Sequence, residues 1–258
     1  CPMNDLQKKV YEYVETDKSF GAFNQPALMC SNVVFPVLDE DEEFENFELD
    51  RFIGDVGLNN VLSKSKVNKN LKYSFKNSQF ENIFTLENIK KYSSKIHNIV
   101  KNVNESKGIV FIYSQFINAG IIPLALALET QGYKKLNSSL LSKKYESKKT
   151  KGNYIIISGN NDLSKNAYKD YIKLENQNKN GEKVKIIIGS QTAAEGLDFK
   201  YIREIHILDP WFHYNRIEQI IGRGIRNCSH IDLSPKERNV KIFLYASTKS
   251  KIPKNENE

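Results

Sequence analysis

The sequence predicts an α/β fold: a parallel sheet flanked by helices, preceded by an irregular and partly helical lead-in. Three observations predict it. From Gly108 onward, short apolar runs alternate with segments of helical period, the order that parallel strands joined by crossover helices require. At 258 residues the chain is long enough to bury a full core around one such sheet. Polar residues (Ser114, Ser158, Ser190 and Asp209) close four of the runs, and the carboxyl ends of strands are where such sheets gather ligands.

In chain order, Asp5–Thr16 reads as a helix. Residues 17–85 read as irregular, acidic at first and then basic through Lys64, Lys66, Lys69, Lys72 and Lys76. Residues 87–103 read as one helix, with Ile89, Ile96 and Val100 spaced to pack on the sheet. Ile109–Tyr113 is the first strand, and a helix over 118–132 ends at a glycine stop. The lysine- and serine-rich stretch 134–151 reads as an exposed loop. Strands over 154–158, 184–188, 204–208 and 240–245 follow, with helices at about 166–176 and at 214–226. His206, inside an apolar strand, reads as a core histidine. The expected organisation is a lead-in over 1–84, an α/β domain over 85–248 and a polar tail over 249–258.

Net charge is +7, unevenly spread. Asp39 to Asp50 carries eight acids and no base, which leaves +15 on the rest. A basic body with one acidic island fits a polyanion-binding surface, although a soluble lysine-rich protein would look the same. Cys1, Cys30 and Cys228 lack CxxC spacing, which argues for a reducing compartment and against a structural zinc site. No apolar run approaches the ~20 residues that span a bilayer, so no membrane partner is expected. The chain opens Cys1-Pro2 without Met, as a piece of a longer polypeptide would.

The most informative stretch is Glu218 to Arg226, EQIIGRGIR. At helical spacing Gln219, Arg223 and Arg226 share one face. A planar guanidinium pairs bidentately with phosphate, and two can hold a phosphoryl group as charge develops on it. Gly222 and Gly224 each cost a helix about 1 kcal/mol relative to Ala, so close approach of a phosphate or a neighbouring backbone is expected there. A solvated basic face is the alternative for a lone RxxR.

Gln219 to Arg226, QxxGRxxR, resembles motif VI of superfamily 2 helicases and translocases. Gly189 to Asp198 resembles motif V, Ile205 to Trp211 the strand and loop before motif VI, and Gly108 to Phe116 motif IV. Together these span Gly108 to Tyr245 in order. Gln7 to Tyr11, Asn32 to Pro36, Tyr92 to Ile96, Gly120, Leu128 to Tyr133 and Arg226 to His230 narrow the resemblance. They look like the nucleoside-triphosphatases of large cytoplasmic DNA viruses, a branch that includes the poxvirus early transcription factor small subunit and nucleoside triphosphate phosphohydrolase I. The Trp211 segment also resembles Snf2-type translocases.

The resemblance implies the second RecA-like domain of a nucleic-acid-dependent ATPase tied to transcription. It implies arginine fingers at Arg223 and Arg226, with Gln219 coupling nucleotide to cleft. Gly196, Asp198 and Gly222 would face the nucleotide, Asp198 at its ribose. Ser190, Thr192, Tyr113, Ser114 and Gln115 would contact a DNA or RNA backbone, and Trp211 would stack on a strand. No Gly-Lys pair occurs, so the phosphate loop that holds ATP and the acids that hold Mg2+ are expected on a first RecA-like domain in cis. The run Val33 to Glu42 imitates a strand ending in a DExx box, but Pro36 interrupts it and the acids continue as in a solvated loop. This chain alone is therefore expected to be inactive. Viral transcription machinery is the implied partner, and the virion or a cytoplasmic viral factory the implied location. The alternatives are an Snf2-like or restriction-type translocase domain, or a non-catalytic nucleic-acid-binding module.

Overall fold

The computed structural model describes residues 1–16, 25–38, 48–148, 150–194, 196–210 and 214–249. Most of the acidic island, together with Glu195 and Trp211, lies outside the described residues. The elements run α1 Asp5–Thr16, α2 Gln25–Asn32, α3 Gly54–Val61, β1 Leu62–Val67, β2 Asn70–Phe75, α4 Leu86–Ile89, α5 Ser94–Glu105 and β3 Ile109–Tyr113. They continue with α6 Ile122–Thr130, β4 Tyr133–Lys135, β5 Gly152–Ile157, α7 Asn161–Ser164, α8 Ala167–Leu174, β6 Ile186–Gly189, α9 Gln191–Ala194, β7 Ile202–Ile207, α10 Tyr214–Gly224 and β8 Lys241–Leu244.

Six strands form one sheet in the order β4-β5-β6-β3-β7-β8, and every pairing is parallel. Parallel strands are covered on both faces, so they need continuous apolar runs instead of alternation. Ile109–Tyr113 meets that need with five buried residues in a row at the centre of the sheet. One apolar cluster covers one face with α5 and α6, and a second covers the other with α8 and α10.

The lead-in departs from the expected irregularity. The described part of residues 17–85 contains two α-helices and an antiparallel hairpin, β1–β2. Val33, Phe35, Leu58, Tyr73 and Phe75 join the same core as Val110 and Ile112 of β3, so one core crosses the expected boundary at 84. The single helix expected at 87–103 is two. Buried Ser93 breaks it, its hydroxyl accepting from the Ile96 amide (3.0 Å) and donating to the Asn32 carbonyl (2.5 Å). The 134–151 stretch is not a free loop either. It opens with edge strand β4, and Leu140 and Leu141 are buried. Glu129, buried in α6, holds them there by accepting from the Leu140 and Leu141 amides (2.6 and 2.7 Å) and the Tyr154 hydroxyl (2.7 Å). His206 is a core histidine, stacked on Phe243 and bonded to the Tyr245 hydroxyl at 2.8 Å.

Candidate functional site

The carboxyl ends of β5, β6, β3 and β7 form the face on which the motif residues gather. Helix α10 buries Ile217 and Ile220 against the sheet and leaves Gln219 exposed. Gly224 is where helix and strand touch: a Cβ there would lie 3.1 Å from Ile202 and Ile205 side-chain atoms. Close packing accounts for this glycine. A Cβ on Gly222 or Gly196 would meet nothing within 4 Å, and Gly196 holds a left-handed φ of +73° that L residues resist.

Arg226 lies just past the end of α10, not on its face as expected, and turns back so that its Nε donates to the Gly222 carbonyl (3.3 Å). Its Nη2 is 2.7 Å from Asp198 Oδ1, and Arg223 Nη1 reaches the same oxygen at 3.8 Å. Two guanidiniums thus converge on one half-exposed carboxylate, 52% open to solvent. The Phe199 amide donates to the Arg223 carbonyl (3.0 Å), which ties the Asp198 turn to the end of the helix.

Ser229 and His230 fix the Arg226 backbone, a role the sequence did not disclose. The Arg226 amide donates to Ser229 Oγ (3.3 Å), Ser229 Oγ lies 2.7 Å from His230 Nδ1, and His230 Nε2 lies 2.6 Å from the Ile202 carbonyl. A carbonyl can only accept, so Nε2 carries the proton and Nδ1 accepts from the serine. The chain of donors is consistent from end to end and anchors the arginine loop to β7.

At the motif IV strand end the structure corrects two expectations. Tyr113 and Ser114 are buried, at 1% and 0% exposure. The Tyr113 hydroxyl accepts from Arg216 (3.0 Å), and the Ser114 hydroxyl is turned to the Phe116 backbone. Neither side chain faces a strand, because packing turned both inward. The Gln115 amide donates to Asp209 Oδ2 (2.9 Å), while its Nε2 is buried with no hydrogen-bond partner.

Asp209, at the end of β7, is the hub of this interior. Its other oxygen lies 3.5 Å from Asn32 Nδ2, and Lys95 Nζ donates to Ser31 Oγ and Asn32 Oδ1 (both 3.1 Å). Burial pushes the Asp209 carboxyl up to about 6 against the opposing pull of Ser114, Gln115 and Lys95. Burial likewise pushes the Lys95 ammonium down to about 8. Burial outweighs the attraction between them, as the absence of a direct contact between the two charges leads one to expect. Nothing local in the sequence marks Lys95 as buried; tertiary packing puts it inside.

Ser190 is nearly buried at the end of β6, and its amide donates to the Ile157 carbonyl (2.9 Å). Thr192 is exposed on α9, and its hydroxyl oxygen would lie 3.4 Å from a Cβ on Gly159, at the end of β5. The site offers guanidinium and hydroxyl donors suited to phosphate. Among the described residues no group of carboxylates or histidines could hold a metal ion, and no helix is long and apolar enough to cross a membrane.

The family profile described as helicase conserved C-terminal domain matches residues 91–228. Among curated proteins, R563 of Acanthamoeba polyphaga mimivirus, provisionally named an ATP-dependent RNA helicase, is 32% identical over 249 residues. That match covers 94% of this chain and 38% of R563. The termination factor NPH-I homolog of African swine fever virus (isolate Tick/Malawi/Lil 20-1/1983) is 34% identical over 185 residues, covering 59% of this chain and 26% of its own length. The crystal structure of the C-terminal part of the Fun30 ATPase domain matches with a TM-score of 0.53 at 15% identity, over 97% of this chain and 83% of that one. At that identity the likeness is one of fold. The chain spans well under half the length of both viral relatives.

Proposed function

The chain belongs to the helicase conserved C-terminal domain family, and from that premise we propose that it is the second RecA-like domain of a large-DNA-virus, superfamily 2, nucleic-acid-dependent nucleoside-triphosphatase. One observation carries the reading: Arg223 and Arg226, from the end of α10, meet at the Asp198 carboxylate on the ligand face of the sheet. A carboxylate is the nearest protein equivalent of a phosphoryl oxygen pair. Guanidiniums held against it are already oriented for a γ-phosphate on a facing domain.

In this reading ATP and Mg2+ are held mainly by that facing domain. The two arginines exchange Asp198 for the γ-phosphoryl oxygens when the cleft closes, and Gly222 leaves room for the phosphate. Thr192, exposed on α9 with Ser190 beneath it at the end of β6, faces the nucleic-acid side, where phosphate contacts position a strand without reading its sequence. Transcription is the proposed setting, supported by the termination-factor name carried by one set of relatives, and the infected cell is the proposed location.

The test is a turnover assay with and without DNA and RNA. The 258-residue chain should hydrolyse nothing, and the polypeptide carrying both domains should hydrolyse ATP faster with nucleic acid present. Hydrolysis by the isolated chain overturns the division of the site between two domains. A two-domain protein that binds nucleic acid and never turns over would be a non-catalytic module.

A further inference from the structure

The β1–β2 hairpin walls a second feature of the ligand face that neither the motifs nor the arginine corner uses. Edge strand β4 stops early: its last pairing joins Lys135 to Tyr154, so residues 155–157 of β5 run on beyond it. Over that step lies a cleft of about 790 Å³, closed by the hairpin tip on one side and by α7 and the start of α8 on the other. The hairpin is braced at both ends. Its base is pinned where the Tyr73 amide donates to the Leu140 carbonyl (2.7 Å) and the Tyr73 carbonyl accepts from the Ser142 amide (2.8 Å). Near its tip Lys66 bonds Asp162 of α7 at 2.8 Å. The two-residue turn takes left-handed φ at Asn68 (50°) and Lys69 (65°), the conformation that closes the tightest hairpins.

Charge in the cleft is unbalanced. Its two carboxylates are answered, Asp162 by Lys66 and Asp170 by Lys173 (3.2 Å). Lys69, Lys135 and Lys165 also line it, and among the described residues none has a carboxylate within ion-pair distance. Lys135 is the telling one. It is partly buried, and burial together with Lys72 pushes its ammonium below the ordinary lysine value, with Glu129 opposing. A partly desolvated cation with no carboxylate at ion-pair distance among the described residues gains from an anion that enters.

We propose that this cleft is a second phosphate-backbone site, which holds a single nucleic-acid strand after it passes Thr192 and Gly159. The proposal rests on the reading of the ligand face as a nucleic-acid track and extends that track by one strand, from β6 across β5 to the hairpin. Continuity supports it: Asn160 follows Gly159 and caps α7, its side-chain oxygen accepting from the Asp162 amide (2.9 Å), and Asn161 lines the cleft. Lysines are point charges that suit phosphates without reading bases. Among the described residues no aromatic side chain lines the cleft, so they offer a free nucleotide no stacking platform. The cleft has a wall on each side, the hairpin tip and α7 with the start of α8, and in this proposal it takes one strand in preference to a duplex.

The experiment is a salt titration of fluorescence anisotropy on the 258-residue chain, with a labelled single-stranded oligonucleotide and its duplex. The variant Lys69→Gln/Lys135→Gln/Lys165→Gln is compared with Lys101→Gln/Lys107→Gln/Lys236→Gln, which removes the same charge from exposed positions elsewhere, and with Thr192→Ala. The cleft variant should bind single strands more weakly, with a log–log salt slope shallower by about 2, roughly 0.7 per lost phosphate contact. The control should change much less, the duplex should be affected less than the single strand, and ATP should not compete. A cleft variant indistinguishable from the control, while Thr192→Ala weakens binding, overturns the cleft and leaves the track standing. No salt-dependent binding by the parent chain overturns both. Should the Lys135 change unfold the chain, Lys69→Gln/Lys165→Gln carries the same comparison, with an expected slope change of about 1.4.

Discussion

The two flanks of the ligand face meet anions in opposite ways. On the β7 side, two arginines share one carboxylate, and the Ser229 and His230 side chains hold the Arg226 backbone in place. On the β4 side, three lysines stand around a cleft with no carboxylate at ion-pair distance from them among the described residues. A guanidinium is a rigid fork that rewards one geometry; an ammonium is a hydrated point charge that accepts many. The arginine flank is thus built for one group in one position, and the lysine flank for a chain of phosphates that must slide. The lesson is that charge alone does not define a site: the +7 of the sequence spreads over both flanks, and their chemistry differs.

The strongest way to break this contrast is to exchange the two cations. In the two-domain protein Arg226→Ala should lower nucleotide turnover by about 10³ or more, the range attributed to arginine fingers. Arg226→Lys should recover little of it, since a point charge cannot replace the fork. In the cleft, Lys69→Arg should keep the binding of single strands. Near-normal turnover of Arg226→Lys would mean that the corner needs charge only, and the contrast would fall.

Next in size is the packing beneath the arginines. Gly224→Val puts methyl groups where even a Cβ is tight against Ile202 and Ile205. It should cost about 1–3 kcal/mol as overpacking does, seen as a lower melting temperature. It should also lift the end of α10 off β7, while binding in the cleft stays intact. Gly222→Ala meets nothing within 4 Å and should stabilise the helix by up to about 1 kcal/mol. Loss of turnover in that stabler variant would mark Gly222 as room reserved for phosphate.

Legibility followed the same division. The core strands and α10 could be read because β-branched runs and a 3.6 period are properties of contiguous residues. The meeting of Asp198 with Arg223 and Arg226 was not read from the sequence: the resemblance put the arginines at the γ-phosphate and Asp198 at the ribose, and nothing local joins residues so far apart. The hairpin was illegible: β1 reads Leu-Ser-Lys-Ser-Lys-Val, with only its first residue buried, and the apolar residues that fix its register, Tyr73 and Phe75, sit on its partner. Tyr113 and Ser114 teach a further limit. The pattern located the end of the strand, but not the direction in which its side chains turned. Lys95 and Asp209 show the same limit for charge, since burial of an ionisable group is decided by tertiary packing.

That buried pair lies between the flanks and gives a pH-dependent prediction. Folding raises the Asp209 carboxyl to about 6, so the folded chain keeps a proton that the unfolded chain has already released. Asp209 therefore costs stability progressively as pH rises from about 4 to 6, and the cost is constant above that. Asp209→Asn removes this dependence. Relative to the parent, the variant should gain on the order of 1–3 kcal/mol between pH 4 and pH 7, read from urea midpoints at each pH. An offset between the two proteins that stays constant over that range would mean that Asp209 is ionised throughout and that the hub does not titrate.

The smallest expected effect bears most directly on the arginine corner. Asp198 is half exposed, and exposed ion pairs contribute about 0–1 kcal/mol. Asp198→Asn should therefore leave the melting temperature nearly unchanged. The same change removes the carboxylate that competes with an incoming anion. Inorganic phosphate, titrated against the 258-residue chain at low ionic strength, should bind the variant several-fold more tightly, with the response seen at the Arg223 and Arg226 side-chain nitrogens by NMR. The lysine cleft should respond equally in parent and variant, which supplies an internal reference. If phosphate binds the variant no better, Asp198 is not holding the place of a phosphoryl group, and the arginines are paired to it for structure. If stability falls by several kcal/mol instead, the carboxylate is part of the fold of the turn after α9, and the convergence of the two guanidiniums follows from that turn.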